Sequence, residues 1–386
     1  MKKDKEFICK IFILSIIFLI TIYKCFFEFK IQLFFGPGDA ETYYNLAIKM
    51  YEKNIFQEDF PISNEFRSWR TPGYPFFLYL LRYINILNST AAFYFNIFFL
   101  ITSFLFVFLI IKKFIINETN CILILIYSIV THIDGLAYLA QRGVNECLYL
   151  FFLTFSIYLI LIKKKYLQTL GFLILGLAVL IRTTILPLMI LLLLCAVVKS
   201  FYLKKNLIKF KYLLAFLPAI LWMVRNYFIF NEFGFFIGSN SDHLLLGTYK
   251  KIDWEYIDGL YNNAKSSVMP FEILRAKMRF DEGIARIFNS PINYVFLKLE
   301  VILRHLLTNF AIIPLLLVTK LIIENNKKIF GIIKANQKLY TMLIICLLFM
   351  CINSITHFVP RYGIIASFLL SNFLLITLSK LLINKN

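Results

Sequence analysis

Asp39 stands in Gly36-Pro37-Gly38-Asp39-Ala40-Glu41-Thr42-Tyr43-Tyr44, soon after the first apolar run of the chain. Glycine and proline stiffen the approach, and a helix is expected from Ala40, with Tyr43, Ala47 and Met50 on one stripe. A carboxylate in this position can cap the helix through its free N–H groups. It can also act as a general base. Some thirty residues on comes Trp69-Arg70-Thr71-Pro72-Gly73-Tyr74-Pro75. Two prolines and a glycine fix the chain path beside one guanidinium, so the turn can present Arg70 to an anion; a helix start with an interfacial tryptophan explains it equally well. Glu146 opens a later apolar run, and His132 and Asp134 lie inside another. Ionisable groups within a membrane segment default to a functional hypothesis, with a mutual hydrogen bond as the structural alternative.

These residues are carried by long apolar runs. Of 386 residues, 60% are hydrophobic, 16% are charged and 43 are phenylalanine. Soluble domains average about 45–50% apolar and about 25% charged. Runs such as 11–22 with its neutral neighbours and 91–111 approach or exceed the ~18 residues of a spanning helix, and they are unbroken where barrel strands would alternate. The first run lacks a small-residue cleavage site and is expected to be an uncleaved span. The net charge of +19 comes from lysines lying between apolar runs, which fits membrane topology and argues against nucleic acid. The seven cysteines are scattered without metal-ligand spacing and read as packing residues.

Placing the lysine clusters at 2–5, 112–113, 163–165, 199–211, 327–338 and 380–385 on the cytoplasmic side pairs the spans up and down. Spans fall near 8–27, 91–111, 120–139, 147–162, 167–182, 184–198, 212–230, 304–324, 339–356 and 362–382, with both termini cytoplasmic. The expected fold is therefore an all-α polytopic membrane protein, one domain over 1–386, with two long outer loops at about 28–90 and 231–303. The stretch 72–87 is read as a helix lying in the outer interface, since a further span would break the lysine pairing. Every arginine then lies in an outer loop or near an outer span end. Snorkelling and structural ion pairs account for several, less well for Arg142, Arg182, Arg225 and Arg361.

The order of these motifs resembles the GT-C glycosyltransferases, within them the protein mannosyltransferase-like group (glycosyltransferase family 39) that includes aminoarabinose transferases of lipid A. The likeness rests on Asp39, then Arg70-Thr71-Pro72-Gly73-Tyr74-Pro75, then Glu146, then Leu180-Ile181-Arg182-Thr183. It continues through Trp222-Met223-Val224-Arg225-Asn226-Tyr227 with Phe230 and Gly234, through Leu244 and Gly247, to His357, Pro360, Arg361 and Tyr362. Thr183 replaces the family's proline and His243 its asparagine. The resemblance implies a GT-C-like bundle of about ten transmembrane helices. It implies sugar transfer from a polyprenyl-phosphate donor to an acceptor hydroxyl on a lipid, glycan or protein, with inversion. Asp39 would be the base; Arg70, Glu146, Arg225, His357, Arg361 and Tyr362 would bind substrate. A divalent cation could help hold the phosphate, with Glu146 and His243 as candidate ligands. The lysine- and isoleucine-rich composition points to a bacterial cytoplasmic membrane, with the site facing the periplasm or exterior. A lipid-sugar flippase or a polysaccharide polymerase are the alternatives. A flippase would be expected to show repeats and midplane polar groups, neither of which is seen here.

Overall fold

A computed structural model describes residues 2–27, 34–36, 38–56, 70–202, 210–230, 271–308, 312–324, 336–356 and 361–383. Every regular element among them is helical. The chain runs through α1 (Lys2–Phe27), α2 (Asp39–Lys53), α3 (Gly73–Tyr83), α4 (Ser89–Phe114) and α5 (Glu118–Ala140). It continues through α6 (Glu146–Leu161), α7 (Lys165–Ile181), α8 (Leu186–Tyr202), the single turn α9 (Phe210–Leu213) and α10 (Leu217–Phe230). The last five helices are α11 (Phe271–Asn289), α12 (Pro291–Thr308), α13 (Ile312–Glu324), α14 (Gln337–Thr356) and α15 (Arg361–Ile383).

The apolar runs become helices because lipid leaves the backbone no other partner. Their starts are set by polar caps. Asn88 accepts a hydrogen bond from the Ala91 N–H at 2.8 Å, and Asn117 accepts one from the Thr119 N–H at 2.9 Å. Short 3-10 turns, Thr183–Ile185 and Leu214–Phe216, precede α8 and α10. Pro187 and Pro218 then sit in the first turn of each helix, where a missing N–H costs nothing.

Among the described residues, three helices are long and apolar enough to cross a membrane: Ser89–Phe114, Glu118–Ala140 and Gly363–Leu382. Shorter apolar helices at Ile11–Phe27, Glu146–Leu161, Lys165–Ile181, Thr183–Val198, Leu214–Ile229 and Gln337–Ile352 match further expected spans. The segment in Gly363–Leu382 is 78% buried, against 50% for those in α4 and α5, so α15 is the central helix. It packs against α4, α5, α12, α13 and α14. Apolar burial does not drive helix association in lipid, so close packing must. Phe104 of α4 meets Phe368 of α15 at 5.8 Å, and Gly135 of α5 lies against Ile364. Several serine and threonine hydroxyls inside the bundle return to their own helices, as Ser103 does to the Phe99 carbonyl at 2.6 Å and Thr154 to the Leu150 carbonyl at 2.8 Å.

Two expectations are adjusted. The span expected over 304–324 does not stand as one described helix: α12 extends through Thr308 and α13 covers 13 residues from Ile312, with 309–311 outside the described residues. Arg304 accordingly sits inside α12, paired with Glu300 at 2.9 Å. Nor do His132 and Asp134 bond each other. His132 is buried, with Nε2 3.2 Å from Ser367 Oγ, whereas Asp134 is exposed and pairs with Lys24 of α1. Residues two apart on a helix point to different sides.

Candidate functional site

Gly38 has φ 104°, a conformation glycine adopts freely, and it turns the chain into α2. Asp39 is therefore the first helical residue, one place earlier than expected, and Gly38 holds the capping position. The carboxylate of Asp39 still benefits from the positive end of the helix. Its side chain meets Arg70: Nη2 donates to Oδ1 at 2.6 Å. The two side chains are 23% and 18% exposed, so the pair sits at an open edge rather than in the core. One turn along α2, the Tyr43 ring lies beneath the Arg70 guanidinium at 5.6 Å and meets Tyr74 edge-on at 5.3 Å.

The turn that carries Arg70 is fixed by the end of α7. Thr71 is buried and its hydroxyl donates to the Ile181 carbonyl at 2.8 Å. Ile181 ends α7, so its carbonyl has no helical partner of its own. The same oxygen accepts from Asn145 Nδ2 at 2.7 Å. Gly73 lies so close that a Cβ there would stand 2.7 Å from Ile181 Cγ1 and 2.8 Å from the Leu180 carbonyl. Only glycine admits this approach of α3 to α7.

Behind this edge is a second ion pair. Arg182 Nη1 lies 2.8 Å from Glu146 Oε1, with the side chains 10% and 2% exposed. Asn145 connects the two pairs. Its Nδ2 also donates to the Tyr43 hydroxyl at 3.1 Å, and its Oδ1 accepts from Arg182 at 3.4 Å. Thr184, just beyond Arg182, donates to the Tyr149 hydroxyl at 3.2 Å. Burial holds the Tyr43 phenol far above its ordinary pKa; Arg70 opposes this, while Asp39 and Glu146 add to it. Both pairs therefore act on one buried ring.

Asp39, Arg70 and Glu146 are thus linked through Tyr43 and Asn145. Arg182, noted in the sequence as part of a motif and among the arginines near outer span ends, joins them through its pair with Glu146. Asn145 and Thr184 carry no sequence signal of their own, and Thr71 is marked only by the motif around it; all three are uncharged, with partners on distant segments. Arg225 belongs to another cluster. It lies over Trp222 at 4.5 Å and Phe56 at 5.5 Å, and donates to Asn226 Oδ1 at 2.9 Å. Along the same α7–α10 seam runs a groove of about 340 Å³ lined by Leu173, Leu177, Leu180, Leu217, Leu221 and Trp222, with Pro218. Arg142 is exposed over Tyr138 at 4.8 Å. His243 and His357 lie outside the described residues, as do the side chains of Arg361 and Tyr362 at the start of α15.

Glu146 faces a guanidinium, which competes with any divalent cation for its carboxylate. Among the described residues, no group of three or more His, Cys, Asp or Glu side chains could hold a metal ion. The described site does not fit a metal, and no step below uses one.

The helices define an all-α, multi-pass membrane protein whose polar side chains gather where α2 and α6 begin and α7 ends. No protein-family model and no curated protein matches the chain. Among solved structures it is similar to apo ArnT from Cupriavidus metallidurans, at 8% identity and a TM-score of 0.39 over 99% of this chain and 77% of that one. A likeness this loose assigns neither fold family nor chemistry.

Proposed function

We propose that the protein is a membrane glycosyltransferase of GT-C type that moves a sugar from a polyprenyl-phosphate donor to an acceptor hydroxyl at the outer face of the membrane. The observation that carries this is the Asp39–Arg70 pair: a carboxylate and a guanidinium at 2.6 Å, partly open, beside a second carboxylate–guanidinium pair. The acceptor hydroxyl gives its proton to Asp39 as its oxygen attacks the anomeric carbon. The bond from that carbon to the phosphate oxygen breaks, and the configuration inverts. Polyprenyl phosphate leaves with growing negative charge, which Arg70 stabilises on exchanging Asp39 for the phosphate. Arg225 and Arg361 are the further phosphate candidates. The groove between α7 and α10 supplies an apolar bed for a prenyl chain, and Leu180 at its edge is two residues from Arg182.

Purified protein in lipid nanodiscs, given a panel of polyprenyl-phosphate hexoses and pentoses with acceptor lipids, should release polyprenyl phosphate and glycosylate an acceptor. No transfer from any donor, or transfer unaffected by Asp39→Asn, overturns the proposal. The orientation has its own test. Cysteines introduced at Asn64 and Asn262 should react with an impermeant thiol reagent on cells with an intact inner membrane. Reaction only after that membrane is broken would place the site on the cytoplasmic side.

A further inference from the structure

The bridging amide of Asn145 can be oriented without ambiguity. The Ile181 carbonyl only accepts, so the nitrogen of Asn145 must face it at 2.7 Å. That same nitrogen faces the Tyr43 hydroxyl at 3.1 Å, and the amide oxygen is left for Arg182. A flipped amide would set oxygen against the Ile181 carbonyl and nitrogen against a guanidinium. The Tyr43 oxygen is therefore an acceptor in this bond, and its own proton is not spent there. Among the described residues no other group accepts it. Tyr43 is 5% exposed, and a buried hydroxyl with an unused proton is disfavoured. A phenylalanine would pack as well between Arg70 and Tyr74.

We infer that the Tyr43 hydroxyl is a fixed hydrogen-bond donor to a phosphate oxygen of the lipid-linked ligand seated at Asp39 and Arg70. This rests on the site reading of the preceding section. The setting selects an anionic oxygen: the ring lies under one guanidinium, and its oxygen is bridged through Asn145 to a second. Burial keeps the phenol protonated, so it remains a donor throughout the physiological range. Asn145 aims that donor by occupying the oxygen from the other side, and is a positioning residue.

The test measures binding of farnesyl phosphate to the full-length protein in nanodiscs, with farnesol as the uncharged control. Tyr43→Phe should weaken farnesyl phosphate binding by about tenfold or more, the worth of a hydrogen bond to a charged group, and leave farnesol binding unchanged. 3-Fluorotyrosine at position 43 retains the fold and sharpens the donor, so it should bind at least as tightly as the parent protein. Unchanged farnesyl phosphate affinity in Tyr43→Phe overturns the inference, as does an equal loss for farnesol, which would mark a packing role. Arg70→Lys in the same assay separates the two levels. If it too binds normally, the site itself is misassigned; if it weakens binding and Tyr43→Phe does not, only the role of Tyr43 falls.

Discussion

Glu146 and Arg182 meet at 2.8 Å where α6 begins and α7 ends, away from the short loop that joins the two helices, and both are nearly withdrawn from solvent. A buried pair is costly to break on one side only, because the remaining charge stays buried alone. Glu146→Ala should therefore lower stability by about 3–5 kcal/mol, whereas Glu146→Ala combined with Arg182→Met should recover much of the loss. Thermal unfolding in detergent measures both. Equal losses in the single and double variants would show that the pair itself is not the source of stability.

Asp39 and Arg70 should behave as one unit. Asp39→Asn keeps the size but removes the basicity, so transfer should fall by at least ~10²-fold while donor binding persists. Arg70→Lys keeps the charge but loses the planar fork, and should weaken donor binding or turnover. The double variant should lose less than the sum, with a coupling of about 0.5–3 kcal/mol. Full additivity would mean that the 2.6 Å contact has no part in turnover.

Gly73→Ala tests whether the turn is held by α7. The added Cβ meets backbone as well as the Ile181 side chain, and backbone cannot step aside cheaply. Overpacking of this kind costs about 1–3 kcal/mol. Activity should fall with stability, since Arg70 lies three residues upstream. A stable variant with normal activity would show that the two helices can separate without disturbing the site.

Lys298 gives a pH-dependent prediction independent of catalysis. On α12 it is 4% exposed, its amine has no hydrogen-bond partner among the described residues, and the Tyr294 ring lies 5.2 Å away. Burial lowers its pKa from 10.5 to about 8. Below about pH 8 the folded state carries the full penalty; between there and 10.5 the unfolded chain still binds the proton that the folded one has released. Stability should therefore rise over that window. Lys298→Met should add on the order of 1–3 kcal/mol at pH 7, with a flatter profile in the same window. Thermal melts at pH 7, 9 and 10.5 would decide it, and a destabilised methionine variant would refute it.

How much of this was legible in the sequence depends on where each signal resides. The spans over 91–111 and 120–139 were readable because an unbroken apolar run has few other uses, and α4 and α5 extend them by a turn or less at either end. The region around Arg304 was not. Its helix is amphipathic, mixing Lys298, Glu300 and Arg304 with apolar residues, and its true start at Pro291 lies outside the apolar run. Asp39 and Arg70 announced themselves through charge and through the glycines and prolines beside them. Their mutual contact did not, since 31 residues separate them. Asn145 was invisible because an amide has no preferred partner until the fold supplies one. The separation of His132 from Asp134 was readable from helical geometry alone.

The carbonyl of Ile181 has a consequence for mutational mapping. It ties Thr71 on one side and Asn145 on the other to the end of α7. Its oxygen belongs to the main chain, so any amino acid at position 181 supplies it. A scan of side-chain truncations would report at this position only the isoleucine's own packing against Gly73, and would pass over the joint that holds the two ion pairs in register. Only a change of backbone chemistry, such as an ester in place of the 181–182 amide, would weaken that acceptor, together with loss of the Arg182 N–H bond to the Ala178 carbonyl.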